Sequence, residues 1–209
     1  MKNQKRPSNQ IKNKVQLSLT ILAIAIVCCL TVKADTITFD NFKDGTKITN
    51  QLPNLTLNNA VVRTSGVSLN ELQFPPISGT SVITDSGPIT INFTSPVLAF
   101  SGYFTYSVPL IIRAFDVTGK EVGLSTSLFA SNLADVLGNK PNELLQVSFA
   151  SGIYKIIING SAAGNSFAGD NFSFTNSPAA SIPEPATLTL LGIGLLGIGR
   201  AIRKNVQQC

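Results

Sequence analysis

The sequence predicts an all-β domain in which short antiparallel strands pack as a sandwich. Short segments alternate between apolar and polar residues, with the period of two that is typical of half-buried β-strands. Turn-forming residues separate these segments at short intervals, and no stretch of the middle region has sustained helical periodicity. Many short strands with frequent turns favour an antiparallel β-sandwich over other fold classes.

The strands are predicted from two kinds of segment. Alternation is clearest at residues 36–40, 89–94 and 171–175. Other segments are continuously apolar and predict strands that are buried on both faces, at residues 97–100, 110–115 and 154–158. Because the two ends of a domain often lie close together, we expect the first and last strands to pair or to be neighbours.

Turn residues predict where the strands end. Asp116 to Lys120 lies between apolar flanks and predicts a hairpin turn, in which Gly119 suits a positive φ. We expect residues 130–142 to hold a helical turn within a long loop. Prolines are expected to punctuate the rest of the domain, at Pro53, Pro75, Pro76, Pro88, Pro96, Pro109 and Pro141.

The N-terminal segment has the order of features expected of a secretory signal. A basic leader is followed by an uncharged, mostly apolar run at residues 15–32 and then by Val32-Lys33-Ala34. Small residues at the first and third positions before the cut suit signal peptidase, which predicts cleavage between Ala34 and Asp35. A permanent N-terminal membrane anchor is the alternative, since the apolar run is close to spanning length.

Charge is unevenly distributed and argues against a nucleic-acid partner. Residues 1–34 carry six basic and no acidic side chains, whereas residues 35–178 carry seven basic and ten acidic ones. The positive charge therefore lies beside the hydrophobic ends, and the middle region is mildly acidic. Nucleic-acid binding needs a basic footprint on the folded domain, which this middle region lacks.

The C-terminal tail, residues 179–209, combines three features. It contains Pro183-Glu184-Pro185, then an uncharged, mainly apolar run at residues 186–199 that predicts a transmembrane helix at about 186–202, and a basic stop that begins at Arg200. That helix is roughly 26 Å long, against a hydrocarbon core of about 30 Å, so the basic side chains at its C-terminal end must extend to the far interface. The stop residues should stay on the cytoplasmic side, which places the preceding domain outside; they are Arg200, Arg203 and Lys204.

This tail closely resembles the PEP-CTERM sorting signal of bacterial surface proteins over about residues 181–204. The resemblance rests on the Pro-Glu-Pro triplet, the glycine-rich apolar run and the basic cluster that follows it. It implies export through signal peptidase and the secretion machinery, transient membrane anchoring, and removal of the helix by an envelope protease called exosortase. It also implies a bacterium that makes exopolysaccharide, biofilm or floc. An uncleaved membrane anchor is the alternative.

Composition excludes several kinds of catalysis. The chain has no His, and its cysteines, Cys28, Cys29 and Cys209, all lie outside residues 35–178. Ser-His-Asp and Cys-His nucleophile systems, and zinc sites built on His or Cys, are therefore excluded from the domain. Carboxylate pairs of the glycosidase kind stay open, because ten acids are present in the domain and sequence alone does not pair them. We expect no catalytic residues and no enzyme activity.

A structural calcium ion is the one cofactor that the sequence raises. The domain resembles the jelly-roll-like sandwiches of exported bacterial proteins, and such sandwiches often bind calcium between the first and last strands. Asp40 and Asn41 are predicted on the first strand, and Asp170 and Asn171 are predicted to open the last. Oxygen ligands of this kind suit calcium. The alternative is that these residues cap turns through local hydrogen bonds.

Three function hypotheses follow. The first is a non-enzymatic, exosortase-processed protein of the cell surface or extracellular matrix. The second is a glycan-binding module for exopolysaccharide, in which Tyr103, Tyr106 or Tyr154 could stack on sugar rings. Tyr103 and Tyr106 would point to opposite faces of a regular strand, however, and core packing is the alternative for at least one tyrosine. The third is a secreted hydrolase built on carboxylates, which would need an acidic cleft.

Overall fold

The computed structural model describes residues 34–176, and every regular element in that range is a β-strand. Eight strands run antiparallel to their neighbours. The predicted all-β antiparallel sandwich is thus confirmed. The strands are β1 Ala34–Ile37, β2 Lys47–Ile48, β3 Leu55–Thr64, β4 Ser81–Tyr106, β5 Ile111–Phe115, β6 Glu121–Thr126, β7 Glu143–Asn159 and β8 Phe167–Asn176.

Two long strands take part in both layers of the sandwich. One layer has the order β1-β8-β4-β7 and uses the second half of β4 with the first half of β7. The start of β8 also pairs with the first half of β4, where Ile83 lies opposite Gly169 and Thr84 lies opposite Ala168. The other layer has the order β2-β3-β4-β7-β5-β6 and uses the first half of β4 with the second half of β7. Backbone hydrogen bonding therefore continues from one layer into the other.

The first and last strands pair, as the sequence predicted. Ala34 lies opposite Thr175 and Ile37 lies opposite Phe172, so β1 occupies a sheet edge beside β8. The side-chain amide of Asn176 donates to Asp35 at 2.7 Å. The described chain therefore begins and ends at the same end of the sheet.

The strand β4 corrects the expected role of two prolines. Pro88 and Pro96 were expected to separate strands, but both lie within this 26-residue strand. Register shifts between Asn92 and Val97 show where the strand passes from one layer to the other. Proline has no backbone N–H to donate to a neighbouring strand. It is tolerated at such irregularities because the regular pairing of the strands is interrupted there.

The core is rich in phenylalanine and centres on Phe172. Its ring lies 5.3–5.5 Å, between ring centroids, from those of Phe39, Phe100 and Phe104. Added methyl groups at Gly102 and Gly169 would each lie 2.8 Å from the Phe172 ring, so both positions must lack a side chain. Rings at these separations contribute beyond the area that they bury.

The predicted turns have mixed outcomes. The hairpin at Asp116 to Lys120 is confirmed, with Gly119 at φ 82° between β5 and β6. Residues 130–142 form a long loop, as predicted, with hydrogen-bonded turns but no helix, since the Val136 amide donates to the Leu133 carbonyl and the Asn139 amide donates to the Val136 carbonyl. The loop is held against the end of β4, because the buried Asn132 side chain accepts from the Tyr106 amide and donates to the carbonyl of Phe104.

The predicted terminal helices lie outside the described residues. These are the signal helix within residues 1–34 and the transmembrane helix at about 186–202. Between Ala34 and Asn176 no helix is long and apolar enough to span a membrane.

Candidate functional site

A pocket lies on the outer face of the sheet where β3, β4 and β8 meet. Arg63 and Thr84 rise from the sheet, the loop between β3 and β4 contributes Asn70 and Phe74, and Asn165 borders the opposite side. The pocket has a volume of about 250 Å³, and the residues that line it include one arginine and no acid. It is therefore not the acidic cleft that a carboxylate-based hydrolase would need.

The loop side of this pocket is fixed by packing and by one aspartate. Leu69 and Phe74 cover Val82 on the outer sheet face in a small second core. Asp44 accepts hydrogen bonds from the Ser68 hydroxyl and from a backbone amide of β3. The bond from Ser68 is the main reason that the pKa of Asp44 lies below its usual value.

The opposite side of the pocket is fixed by a second aspartate. Asp85 is 1% exposed, and its carboxylate accepts from the Ser166 amide at 2.7 Å, the Ser166 hydroxyl at 2.8 Å and the Phe167 amide at 3.0 Å. Its carbonyl accepts from the Asn165 amide, which holds Asn165 at φ 54°. Asn165 thus reaches the pocket from a rigid turn.

A second polar centre lies where the residues 77–81 pass over two aspartates. Asp40 accepts from the amides of Thr80 and Ser81, at 2.7 and 3.0 Å. Gly79 directly precedes these two residues and has φ 58°. Because it has no side chain, it leaves room for the Asp40 carboxylate. The Asp40 side chain therefore fixes the end of this loop through backbone donors.

The other aspartate of this centre is buried. Asp170 accepts from the amides of Ile77, Ser78 and Asn171, at 3.1, 3.2 and 2.7 Å. Burial raises the pKa of Asp170, and the nearby charge of Asp40 acts in the same direction. The side chain of Asn171 accepts from the Ser78 hydroxyl at 2.8 Å.

The structure therefore brings together three of the four predicted calcium ligands, at positions that differ from the sequence prediction. Asp40 and Asn41 lie after β1, which ends at Ile37, and Asp170 and Asn171 lie inside β8, which begins at Phe167. Asn41 instead lines a separate groove beside β1. The sequence prediction misplaced these residues relative to the strands because apolar and polar alternation does not show where β1 ends or where β8 begins.

The oxygens of this centre suit capping better than they suit calcium. One Asp40 oxygen and one Asp170 oxygen each accept two backbone amides, and these bonds compete with a cation for the carboxylate lone pairs. Calcium takes six to eight oxygen ligands. Among residues 34–176, no group of three or more His, Cys, Asp or Glu side chains is placed to hold a metal. The calcium site stays a prediction, and the geometry favours the capping alternative.

The three tyrosines do not form a stacking platform. Tyr106 is 0% exposed and belongs to the core, which confirms core packing for at least one of them. Its hydroxyl donates to Glu143, and burial together with this bond raises the pKa of Tyr106 to about 12. Tyr103 and Tyr154 are partly buried and line neither of the polar sites described above.

Of the predicted processing residues, only those at the signal cleavage site lie within the described structure. Ala34 and Asp35 are the first two residues of β1 and pair with β8. The sorting triplet at Pro183, Glu184 and Pro185, and the basic stop at Arg200, Arg203 and Lys204, lie outside the described residues.

Sequence reasoning missed the pocket at Arg63. The pocket residues come from three separate parts of the chain, and only the pairing of β3, β4 and β8 brings them together. No local motif marks them. The only signal was the alternation in β3, which places Arg63 on the same outward face as Val61.

Solved structures with similar folds are distant from this chain. One is the K2 cleaved adhesin domain of Lys-gingipain, with 11% identity, coverage of 68% of this chain and 99% of that one, and a TM-score of 0.45. A DUF4465 family protein from Bacteroides caccae has 12% identity, coverage of 69% and 100%, and a TM-score of 0.40. The family 11 carbohydrate-binding module from Clostridium thermocellum has 10% identity, coverage of 70% and 98%, and a TM-score of 0.33. These similarities assign no function. No curated protein matches the sequence.

The C-terminal tail gives a specific match. The family model described as the PEP-CTERM protein-sorting motif matches residues 181–204, which contain the Pro-Glu-Pro triplet, the glycine-rich apolar run and the basic stop. This motif implies an exported protein that is anchored transiently at the membrane and processed by exosortase. The chain therefore carries a PEP-CTERM protein-sorting motif, at residues 181–204.

Proposed function

We propose that the chain is an exosortase-processed protein of the cell surface or extracellular matrix, and that its β-sandwich is not catalytic. The sorting motif at residues 181–204 is the observation that carries this proposal. Six residues separate the end of β8 at Asn176 from Pro183.

The two ends of the domain lie at the same end of the sheet. β1 begins at Ala34, beside the end of β8, so the signal peptide and the sorting tail are joined to the same end of the sheet. Both export and retention then act on that one end.

The chemistry of the acids supports a non-catalytic role. Asp85 and Asp170 are buried, and backbone amides satisfy their carboxylates. Glu143 accepts from Tyr106 and from the Leu128 amide. These acids stabilise loops and strand ends, whereas a carboxylate hydrolase needs two acids that face each other across a cleft.

The proposal is tested by replacing Pro183, Glu184 and Pro185 together with alanine in the native host. We expect the altered chain to stay in the membrane fraction at its uncut mass, whereas the unaltered chain is released or transferred from that tail. Pro178→Ala is the matched control, because it removes a proline just before the motif. Equal processing of the triple variant and the unaltered chain would contradict the proposal.

A glycan-binding role is a second candidate, and the pocket at Arg63 favours it. The pocket combines the Phe74 ring with the amide groups of Asn70 and Asn165. Such a mixture of one apolar face and a few polar groups is typical of small-ligand sites. A glycan array probed with the processed protein tests this candidate, and an array without hits would count heavily against it.

A further inference from the structure

The guanidinium of Arg63 in the pocket indicates which class of sugar a glycan-binding domain of this kind would bind. No residue in the range 34–176 hydrogen-bonds to the Arg63 guanidinium or forms an ion pair with it. Asp44 is close enough for the charge of Arg63 to help lower its pKa, yet Asp44 accepts its hydrogen bonds from Ser68 and Thr64. The planar fork of donors on Arg63 therefore stays available to a ligand that enters the pocket.

A carboxylate is the group that this fork matches best. A guanidinium and a carboxylate form two parallel hydrogen bonds, and both charges strengthen them. The neutral groups around Arg63 fit the rest of a sugar ring. Within residues 34–176 the Asn165 side chain makes no hydrogen bond. The Asn70 side-chain amide donates to Gln73, and its oxygen is left to accept. Phe74 offers an apolar surface to the C–H face of the ring.

The pocket is rigid and small. Asp44 holds the loop side, and Asp85 holds the turn that presents Asn165. Its volume of about 250 Å³ is below the roughly 300–1,000 Å³ of pockets that enclose drug-sized ligands. A fixed pocket of this size suits one sugar residue of a longer chain, because little conformational freedom is lost when the ligand enters.

We infer that the pocket binds one acidic sugar residue of a polysaccharide, with the sugar carboxylate on Arg63. This inference rests on the glycan-binding candidate and names its ligand class. The mild net negative charge of residues 35–178 disfavours non-specific binding of polyanions, so recognition depends on the pocket itself.

The test is calorimetric titration of the full-length chain in detergent with tetragalacturonic acid and with its carboxyl-reduced tetrasaccharide. The two probes share their linkage and length and differ in the carboxylate. We expect the acid to bind at least tenfold more tightly. Equal binding of both probes would overturn the acidic specificity and leave glycan binding intact. Binding of neither probe would overturn both this inference and the glycan-binding candidate for such chains.

Variants then locate the site. Arg63→Gln should lose at least tenfold in affinity for the acidic probe, and Arg63→Lys should lose part of it, because lysine keeps the charge and lacks the fork. Arg113→Gln is the matched control, since Arg113 is an exposed arginine on β5 that pairs with Glu121 outside the pocket. Unchanged affinity in Arg63→Gln would overturn the assignment. The comparison of the two probes on the unaltered chain needs no variant and stands even if Arg63→Gln does not fold.

Discussion

Gly152 of β7 lies directly against Pro96 of β4, at the level where both long strands pass from one layer to the other. An added Cβ at Gly152 would lie 2.6 Å from the Pro96 Cβ, and Gly152 has φ 101°. The register between the strands shifts at this level, between Asn92 and Val97 and again before Ala99. The close approach of Pro96 therefore requires that residue 152 have no side chain.

The first prediction concerns this contact. Gly152→Ala should destabilise the domain by about 2–4 kcal/mol, because it adds a clash with Pro96 to the cost of a positive φ. Urea unfolding followed by fluorescence measures the change. Gly138→Ala is the matched control, since Gly138 has φ 89° and no atom within 4 Å of an added Cβ. Equal losses in the two variants would show that the contact with Pro96 contributes nothing.

The second prediction concerns Asp85, which holds the turn at Ser166 and Phe167. Asp85→Ala leaves buried donors without an acceptor and should cost about 2–4 kcal/mol of unfolding free energy. Asp85→Asn keeps the oxygen that accepts both backbone amides and should recover most of this loss. Thermal unfolding compares the three proteins. If Asp85→Asn is as unstable as Asp85→Ala, the hydrogen bonds from the two backbone amides are not the source of the stability that Asp85 provides.

The third prediction concerns alkaline pH. Tyr106 has its pKa raised to about 12 in the folded protein, above the usual value of about 10 in an unfolded chain. Between these values the unfolded state loses this proton first, so the stabilising contribution of the neutral phenol is complete below pH 10 and declines as the pH rises towards about 12. Stability measured across this range should fall less steeply in Tyr106→Phe than in the unaltered protein. Tyr103→Phe is the control, and an equally small slope in that variant would contradict the role of Tyr106.

The fourth prediction concerns calcium. Because backbone amides already donate to the carboxylates of Asp40 and Asp170, we expect chelator treatment to leave the unfolding temperature unchanged and calcium to give no heat of binding. Isothermal calorimetry and thermal unfolding measure the two effects. A calcium-dependent rise of several degrees that Asp40→Asn abolishes would instead establish the calcium site that the sequence raised.

Local patterns predicted the strands well, because alternation at residues 89–94 and 171–175 reports burial of one face. The same patterns did not show that β4 is one strand from Ser81 to Tyr106. Pro88 and Pro96 normally interrupt a ladder, and only the crossing between layers makes them tolerable there. The pairing of β1 with β8 followed from a general property of domain ends rather than from any residue.

The candidate pocket was beyond sequence analysis for a different physical reason. Arg63, Phe74 and Asn165 are brought together by strand pairing across about 100 positions of the chain. None of them stands in a motif of its own. The sorting tail was predictable because its three features follow one another directly along the chain, at residues 181–204.

The most direct test of the central claim is the intact mass of the mature protein from its native host, compared with the mass from a host that lacks exosortase. The account predicts a native chain that ends near Pro183 to Pro185, with the tail retained in the deletion host. A native mass that runs through Cys209 in both hosts would show that the tail is a plain membrane anchor, and it would contradict processing by exosortase.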